Sequence, residues 1–287
     1  MKKFLVTGST GATGAPTVRL LLANGHAVTA FVRREDERSQ ALKDLGAEIV
    51  VGDMLNIEDI RGAIAGVDGA YFCYPLTQGA VEAAAIFAQA ASEHDVRQIV
   101  YMSHRQSRSH ARSPATLGHW LSEQILNRSG VPTAHLRVNL FMEWMLYASS
   151  LIRAGRYLTP FDPDSRFVPI AAVDIARIIV EILENPEAFG TRAIPITGSV
   201  EVSHIELASI LTRTLGKEVR FEQVSLDEFV KTLGLDGDPS FAAHFKELKV
   251  DQQEGRLVGV DNSATEIIGR PLMSPEQFIA EHRHLLA

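Results

Sequence analysis

The feature that most constrains the fold of this chain is a glycine-rich segment near the amino terminus, residues 6–14 (VTGSTGATG). It follows a short apolar run at 4–6 and precedes another at 18–22 (VRLLL), which is the order of a strand, a tight turn and an amphipathic helix. In this context, the G-x-x-G-x-x-G spacing is typical of a loop that binds the diphosphate of a nucleotide. The alternative is a glycine turn without a ligand, which the position of the motif at the first turn of a strand–helix–strand pattern disfavours.

Each glycine of this loop has a predicted role. Gly8 lets the chain turn sharply out of the strand, Gly11 lacks the Cβ that would hold a diphosphate away from the backbone, and Gly14 lets the helix pack closely against the sheet. The start of the helix then presents free N–H groups and the positive end of its dipole to the phosphates. The predicted cofactor-binding residues of the loop are Gly8, Thr10, Gly11, Ala12, Thr13 and Gly14.

Composition limits the partners of the chain. Its 287 residues, 46% of them hydrophobic, are enough for one large α/β domain with a sizeable core. A net charge of −7 argues against a nucleic acid partner, because binding phosphates needs a basic surface. Cys73 is the single cysteine, and no apolar run has the length of a signal peptide or a membrane span. We therefore expect a cytoplasmic protein without a metal site, a membrane association or a nucleic acid partner.

The end of the second predicted strand indicates which dinucleotide binds. This strand, residues 27–32, is followed by Arg33 and Arg34. An acidic residue at that point would bind the 2′-hydroxyl of NAD, whereas an arginine accommodates the 2′-phosphate of NADP. Arg33 therefore favours NADP(H) over NAD(H). Two alternatives stay open: Glu35 or Asp36 serves the ribose, or the arginines only solvate the strand end.

The next two predicted strands also end in residues suited to a cofactor. After the third strand, Asp53 can accept a hydrogen bond from the adenine amino group while Met54 covers the ring, although Asp53 could equally cap the following helix. The fourth strand, residues 69–74, ends at Tyr74 and is followed by Pro75. Ligands in open parallel sheets bind beyond the carboxyl ends of the strands, so we expect Tyr74 and Pro75 near the diphosphate and the nicotinamide ribose. Cys73 is interpreted as a small core residue rather than a nucleophile.

Regular alternation of strands and helices over the first half predicts the fold class. It indicates an α/β protein with a doubly wound, Rossmann-like parallel sheet, carried by residues 1–150. Residues 151–287 are expected to form a smaller α+β substrate lobe that is interleaved with the first part through a returning segment at about 165–185. In the lobe, Asp174 is expected to cap a helix, and Ser203, Ser225 and Ser274 begin capping motifs.

The sequence also resembles a known family. The opening TGSTGATG, Arg33 after the second strand, Ser103 at the end of the fifth, and the segment 119–132 (HWLSEQILNRSGVP) resemble the NmrA-like atypical short-chain dehydrogenase/reductases, in particular the group of triphenylmethane reductase and NADPH-dependent quinone reductase. This resemblance implies an NADP(H)-dependent oxidoreductase that transfers a hydride to a quinone-like or aromatic electron acceptor. The Tyr-x-x-x-Lys pair of the wider superfamily is missing, because His119 and Glu123 occupy its neighbourhood.

The resemblance implies His119 and Ser103 as catalytic residues. Imidazole titrates near neutrality, so His119 could donate a proton or bind the nicotinamide ribose, but a helical histidine that is merely packed or solvated is an equal alternative. Glu123 lies four residues later on the same helix face and either orients the imidazole or, as we favour, lies on a solvated face. The basic stretch 104–112 is interpreted as an exposed loop, with a lid over an anionic ligand as the alternative.

The segment after the sixth predicted strand is the candidate substrate site. Asn139 and Phe141 are the predicted substrate-binding residues, and Trp144, Met145 and Tyr147 add apolar surface that either lines a pocket for a flat substrate or belongs to the core. The alternative function is a non-catalytic NmrA-like sensor that binds NADP(H) and acts through a protein partner; sugar-nucleotide chemistry ranks last because it also relies on the missing tyrosine. For the enzyme, a small-molecule substrate is the expected partner, and homodimer formation is left open.

Overall fold

The computed structural model describes residues 1–76, 78–235 and 239–287, with the side chains at 239 and 240 left aside. Residues 75–77 are predicted to form the turn after the fourth strand, and of these Thr77 lies outside the described residues. The strands are β1 (Lys3–Val6), β2 (Ala27–Val32), β3 (Glu48–Val51), β4 (Gly69–Phe72), β5 (Gln98–His104), β6 (Thr133–Val138), β7 (Arg156–Thr159), β8 (Arg166–Phe167), β9 (Arg192–Ile196), β10 (Val202–Ser203) and β11 (Arg220–Gln223).

The helices alternate with the strands through the first half of the chain and are denser in the second half. They are α1 (Gly14–Ala23), α2 (Glu37–Asp44), α3 (Ile57–Ile64), α4 (Ala80–Glu93), α5 (Pro114–Arg128), α6 (Trp144–Tyr147), α7 (Ser149–Arg153), α8 (Ala172–Glu184), α9 (His204–Leu215), α10 (Leu226–Thr232), α11 (Pro239–Gln253), α12 (Ser263–Ile268), α13 (Pro275–Glu281) and α14 (Arg283–Leu286), with a short 3₁₀ helix at Pro186–Ala188.

A seven-stranded sheet forms the centre of the molecule. Its strand order is β3-β2-β1-β4-β5-β6-β9, and every neighbouring pair is parallel. The order reverses between β1 and β4, which creates the crevice at the carboxyl ends of the strands where ligands of such sheets bind. The predicted doubly wound, Rossmann-like fold is therefore confirmed.

The central strands are buried on both faces, which explains their continuous apolar runs. On one face, Val18 and Leu21 of α1 pack with the apolar side of α8. On the other face, Phe72 of β4 stacks on Phe87 of α4 at 4.5 Å between ring centroids. The sheet is thus a layer between two sets of helices, and it is accessible to a ligand at the strand ends.

The second half forms a lobe with its own apolar cluster, which includes Phe161, Phe167, Leu211 and Phe245. Two small sheets belong to it, β7 with β11 in parallel and β8 with β10 antiparallel. The chain nevertheless returns to the central sheet as β9, which pairs with β6. Residues 192–196 therefore extend the interleaving of the two parts beyond the expected return at about 165–185.

Helix starts in the lobe follow the predicted capping motifs with one exception. Ser203 and Ser274 form reciprocal capping boxes, and Ser225 caps α10 by accepting from the Glu228 N–H. The prediction for Asp174 is wrong. Helix α8 begins at Ala172, and the fully buried Asp174 carboxylate instead pairs with Arg177 at 2.6 Å and accepts from the Met273 N–H, which ties the helix to the carboxyl-terminal segment. Through the described part of the chain, no helix combines the length and apolarity needed to cross a membrane.

Candidate active site

The glycine-rich loop follows β1 at the crevice. Gly8 has a left-handed backbone (φ +58°), and the Gly11 N–H donates to the Gly8 carbonyl at 2.9 Å. A Cβ on Gly14 would lie 2.1 Å from that same carbonyl oxygen, closer than any real contact. The predicted reason for Gly14 therefore needs correction, because the close neighbour is the backbone of the loop itself and not the sheet. Glycine at this position lets the loop fold tightly over the start of α1.

The start of α1 is free to bind an anion. Its N-cap residue, Thr13, makes no side-chain capping bond, because its hydroxyl pairs with the buried Tyr71 hydroxyl at 2.8 Å. Among the described residues, the N–H groups of Ala12, Thr13 and Gly14 have no hydrogen-bond partner. Thr10 is half-buried beside them. Unpaired amides at a helix start, in a loop that folds tightly because Gly14 has no side chain, fit the diphosphate of a dinucleotide.

Arg33 lies directly after β2 and is exposed. Within residues 1–76, 78–235 and 239–287, no carboxylate forms an ion pair with it. Asp36, the acidic alternative, is engaged elsewhere: it caps α2 by accepting from the Arg38 and Ser39 N–H groups and pairs with the Arg38 guanidinium at 2.6 Å. Glu35 is exposed beside it. In the described structure, the exposed groups at this strand end that make no ion pair are Arg33, Arg34 and Glu35.

The ends of β3 and β4 complete this side of the crevice. The exposed Asp53 accepts from the Leu55 N–H at 2.9 Å, whereas the cap of α3 is Asn56, so Asp53 stabilises the turn rather than the helix. Met54 is half-buried after it. Tyr74 and Pro75 line a groove whose other wall comes from β5 and α5. Cys73 packs against the core as predicted, and burial raises the pKa of its thiol.

His119 of α5 lies in the wall of that groove. Its Nδ1 atom is 2.9 Å from the hydroxyl of Tyr101, a residue of β5 that lines the groove with it. Burial lowers the pKa of His119 to about 4, and burial raises the pKa of Tyr101, so both side chains are neutral near pH 7. Sequence reasoning missed Tyr101. The available signal was strand alternation, which places Tyr101 on the same face of β5 as Ser103.

Two further histidines pack beside His119. The ring of His104, at the end of β5, stacks on His119 with 5.4 Å between centroids and 9° between planes. His244 of α11 contacts His104 at 5.1 Å and shares a hydrogen bond with the Ser113 hydroxyl at 3.3 Å. Burial lowers the pKa of His104, and that of His244 to about 4. The lobe thus reaches the cofactor crevice through α11. Across the described residues, these histidines and the acidic side chains form no cluster that could hold a metal ion.

Glu123 does not lie on a solvated face, and the favoured interpretation was wrong. Its side chain is 2% exposed, accepts from the Ser103 hydroxyl at 2.5 Å and pairs with Arg137 of β6 at 2.7 Å. Although burial acts to raise it, the pKa of Glu123 is lowered because Arg137 and Ser103 stabilise the carboxylate. Nor does Glu123 orient His119, whose Nδ1 is held by Tyr101. Ser103 is buried, and its hydroxyl proton is committed to Glu123.

The basic stretch 104–112 is only partly the exposed loop that was expected. Ser109, His110 and Arg112 are exposed, but Gln106 and Ser107 are buried. Arg108 pairs at 2.7 Å with Asp251 of α11, which is 3% exposed. The loop is therefore anchored to the lobe at its middle.

The candidate substrate residues have different environments. Asn139 is buried, donates from Nδ2 to the Leu257 carbonyl and accepts from the Leu140 N–H, so its amide links two chain segments. Phe141 lines an apolar cavity. The cavity also includes Trp144 and Met145. The expectation for Tyr147 was wrong, since its side chain is 70% exposed.

The cavity lies in the lobe beyond the carboxyl end of β6. Nearly all of its surface is apolar, and its polar members have partners: His204 is held by Tyr157 at 2.9 Å and by Gln252. The main lining residues are Phe141, Trp144, Met145, Tyr157, Phe161, Phe167, His204, Leu207, Phe229 and Phe245. Such a space suits a flat apolar or aromatic molecule. Phe245 lines the cavity, and the preceding residue of α11, His244, contacts His104, so this helix borders both the cavity and the histidines of the crevice.

Together, the parallel doubly wound sheet and the open glycine loop at its first helix define a Rossmann-like α/β protein. The sequence matches the NmrA-like family over residues 1–265, and the chain belongs to this family. It is 28% identical over 282 residues to the NAD(P)H azoreductase of Xenophilus azovorans, covering 97% of each chain. Among solved structures, it resembles the triphenylmethane reductase of Citrobacter sp. with a TM-score of 0.84 at 22% identity, covering 98% of this chain and 99% of that one. The NADPH complex of an Escherichia coli NADPH-dependent quinone oxidoreductase gives 0.83 at 20% identity, covering 97% and 99%.

Proposed function

We propose that this protein is an NADPH-dependent oxidoreductase that transfers a hydride to a quinone-like or aromatic electron acceptor. The observation that carries the proposal is the backbone cradle at Gly8–Gly14, where the N–H groups of Ala12, Thr13 and Gly14 are unpaired among the described residues and the loop packs so closely on Gly14 that no side chain fits there. That cradle matches the requirement of a dinucleotide diphosphate for closely approaching backbone donors. The azoreductase relative, which is named for NAD(P)H and matches along almost the whole chain, supports a nicotinamide cofactor.

Arg33 supports the preference for NADPH. It makes no ion pair in the described part of the chain, and the nearby Asp36 is occupied by Arg38 and the start of α2. A guanidinium at this position binds a 2′-phosphate through charge-assisted hydrogen bonds. The Asp36 carboxylate is not free to accept a hydrogen bond from the 2′-hydroxyl of NADH.

The apolar cavity supports an aromatic acceptor. Its lining holds Phe141 at the sheet end and Trp144 one turn later, and its polar groups already have partners. A ligand that enters it gains contact with aromatic faces and does not need to supply hydrogen bonds. Quinones and azo or triarylmethane dyes belong to this chemical class.

When bound, the nicotinamide supplies the hydride, and the protein supplies orientation and hydrogen bonds. His119 is neutral near pH 7 because burial lowers its pKa to about 4, so it acts as a hydrogen-bond donor and not as a proton source. Ser103 cannot release its proton readily, since Glu123 accepts it in a buried pair. We therefore assign Ser103 a supporting role and His119 the direct one, and the proton that completes the reduction comes from water.

The test is to titrate the purified protein with NADPH and NADH by fluorescence and then to follow NADPH oxidation with a panel of quinones and aromatic dyes. We expect tighter binding of NADPH and turnover with apolar acceptors. Tight NADPH binding without turnover of any acceptor would replace the enzyme by the sensor that acts through a protein partner. Failure to bind either dinucleotide would overturn both functions.

A further inference from the structure

We propose that Tyr101 is a positioning residue that fixes the imidazole of His119 in one tautomer, with its proton on Nε2 and aimed into the groove. The oxygen of Tyr101 lies 2.9 Å from Nδ1, and the tyrosine is 3% exposed in β5. The ring of Tyr101 is held in turn by Phe72, at 5.4 Å, and by His135, at 6.0 Å. Its hydroxyl therefore has little freedom to seek another partner.

The direction of this hydrogen bond follows from counting donors. Burial raises the pKa of Tyr101, so the phenol keeps its proton and must donate it. If Nδ1–H donated instead, the phenol proton would be left buried without an acceptor, which costs about 1–3 kcal/mol. The buried Ser122 hydroxyl lies near the phenol but forms no hydrogen bond in the described structure, so it does not accept the phenol proton. Tyr101 therefore donates to Nδ1, and Nε2 carries the imidazole proton.

The Nε2 atom is the open end of the ring. In the part of the chain that the structure describes, no group forms a hydrogen bond with it, and it is not among the buried polar atoms that lack a partner. His104 covers one face of the ring by stacking, which leaves the edge with Nε2 toward the groove. A neutral imidazole with a fixed Nε2–H can donate a hydrogen bond to an oxygen atom of the electron acceptor. This hydrogen bond strengthens as negative charge develops on that oxygen. This role of His119 rests on the proposed function, whereas the assignment of its tautomer does not.

A second pair in the molecule provides a matched reference. Tyr157 lies 2.9 Å from Nδ1 of His204 in the lobe, which repeats the geometry of Tyr101 and His119. There, however, Gln252 holds Nε2 at 3.2 Å, so both nitrogens of His204 are occupied. Both ring nitrogens of His204 therefore have partners, whereas Nε2 of His119 is left to donate into the groove.

The direct experiment is a long-range ¹H–¹⁵N spectrum of the protein with ¹⁵N-labelled histidine, in which protonated and unprotonated ring nitrogens resonate apart. Signals of His119 are identified by their loss in His119→Gln. We expect Nε2 protonated and Nδ1 unprotonated from pH 6 to 8 in the unmodified protein. A protonated Nδ1, or a rapidly exchanging mixture of tautomers, would overturn the proposal without any variant of Tyr101.

Tyr101→Phe should convert His119 to a mixture of tautomers and leave His204 unchanged, while Tyr157→Phe should do the reverse. A His119 spectrum that Tyr101→Phe does not alter overturns the proposal. Near-UV circular dichroism establishes that each variant is folded. Because no cofactor or acceptor is present, this measurement is independent of the proposed oxidoreductase function.

Kinetics then separates the positioning role from that function. Tyr101→Phe should lower kcat about tenfold, the equivalent of one hydrogen bond, with the Kd of NADPH changed less than about twofold. In a His119→Gln background, Tyr101→Phe should have no further effect on kcat, since its action passes through His119. Additive losses would overturn the role of Tyr101, whereas an absence of turnover in the unmodified protein would overturn the proposed function and leave the tautomer assignment intact.

Discussion

The glycine loop and the apolar cavity are built from different parts of the chain. The loop is made of backbone: its donors are amide groups, and its shape depends on Gly14 having no Cβ. The cavity is made of side chains from many elements, of which Phe141, Tyr157 and Phe245 are widely separated in sequence. A site made of backbone has one geometry and tolerates no added atom, whereas a site made of side chains can change shape and specificity by substitution. We therefore expect the proposed cofactor site to be rigid in evolution and the proposed acceptor site to be adaptable.

The sharpest test of this difference is Gly14→Ala. The new Cβ would lie 2.1 Å from the Gly8 carbonyl, so the loop must open. We expect a cost of about 3 kcal/mol, or about a hundredfold weaker binding of both NADPH and NADH, measured by fluorescence titration. Gly62→Ala is the control, because nothing lies within 4 Å of a Cβ there. Binding that survives Gly14→Ala would show that the loop is not set by its backbone.

Arg33→Ala tests the side chain that is proposed to select NADPH over NADH. Loss of charge-assisted hydrogen bonds to a 2′-phosphate should cost about 2 kcal/mol, which raises the Kd of NADPH about thirtyfold and leaves the Kd of NADH within about twofold. The neighbouring Arg34→Ala, also at an exposed position, serves as the control. Equal losses for the two dinucleotides would contradict the phosphate assignment.

Leu207→Phe tests the cavity. Leu207 lines it from α9, whereas Leu211, one turn later in the same helix, is buried away from it. Filling the cavity should raise the KM of an apolar quinone about tenfold, a cost of about 1.4 kcal/mol, with NADPH binding unchanged. Leu211→Phe imposes the same enlargement on the core and should lower thermal stability without a selective rise in that KM. A KM that responds equally to both variants would place the acceptor elsewhere.

The last prediction concerns the dependence of stability on pH. Burial lowers the pKa of His204, in the cavity wall, to about 4, whereas an unfolded histidine titrates near pH 6.5. Between these values the unfolded chain binds more protons, so His204 stabilises the fold above about pH 6.5 and this contribution is lost as pH falls toward about 4.

His204→Gln should reduce the slope of unfolding free energy against pH in this window by up to about 1.4 kcal/mol per pH unit. Urea unfolding followed by circular dichroism between pH 4.5 and 7 measures the slope. His110→Gln, at an exposed position, should leave it unchanged. The loop 8–14 contains no histidine, so an equal loss of cofactor binding in this pH range would contradict the contrast between the two sites.

The parts of the site that could be predicted are those specified by neighbouring residues. The glycine loop and Arg33 follow from strand, turn and helix signals within a few positions, and β2 does end at Val32. Glu123 could not be placed, because its burial depends on Arg137 and Ser103, which come from two other strands. Tyr147 was misplaced because it is the last residue of the four-residue helix α6 and is exposed, whereas Trp144 and Met145 of the same helix line the cavity. The cavity combines side chains from many elements, and a local sequence pattern cannot predict which of these side chains come together.

Because the chain returns to the central sheet as β9, a truncated chain cannot form the complete sheet. A fragment ending at residue 150 would lack β9, and the outer side of β6 would become a bare edge of unsatisfied N–H and C=O groups. It would also lose α8, whose apolar face packs on α1. We expect such a fragment to self-associate through that edge. The solubility of residues 1–150 therefore depends on the residues that follow them.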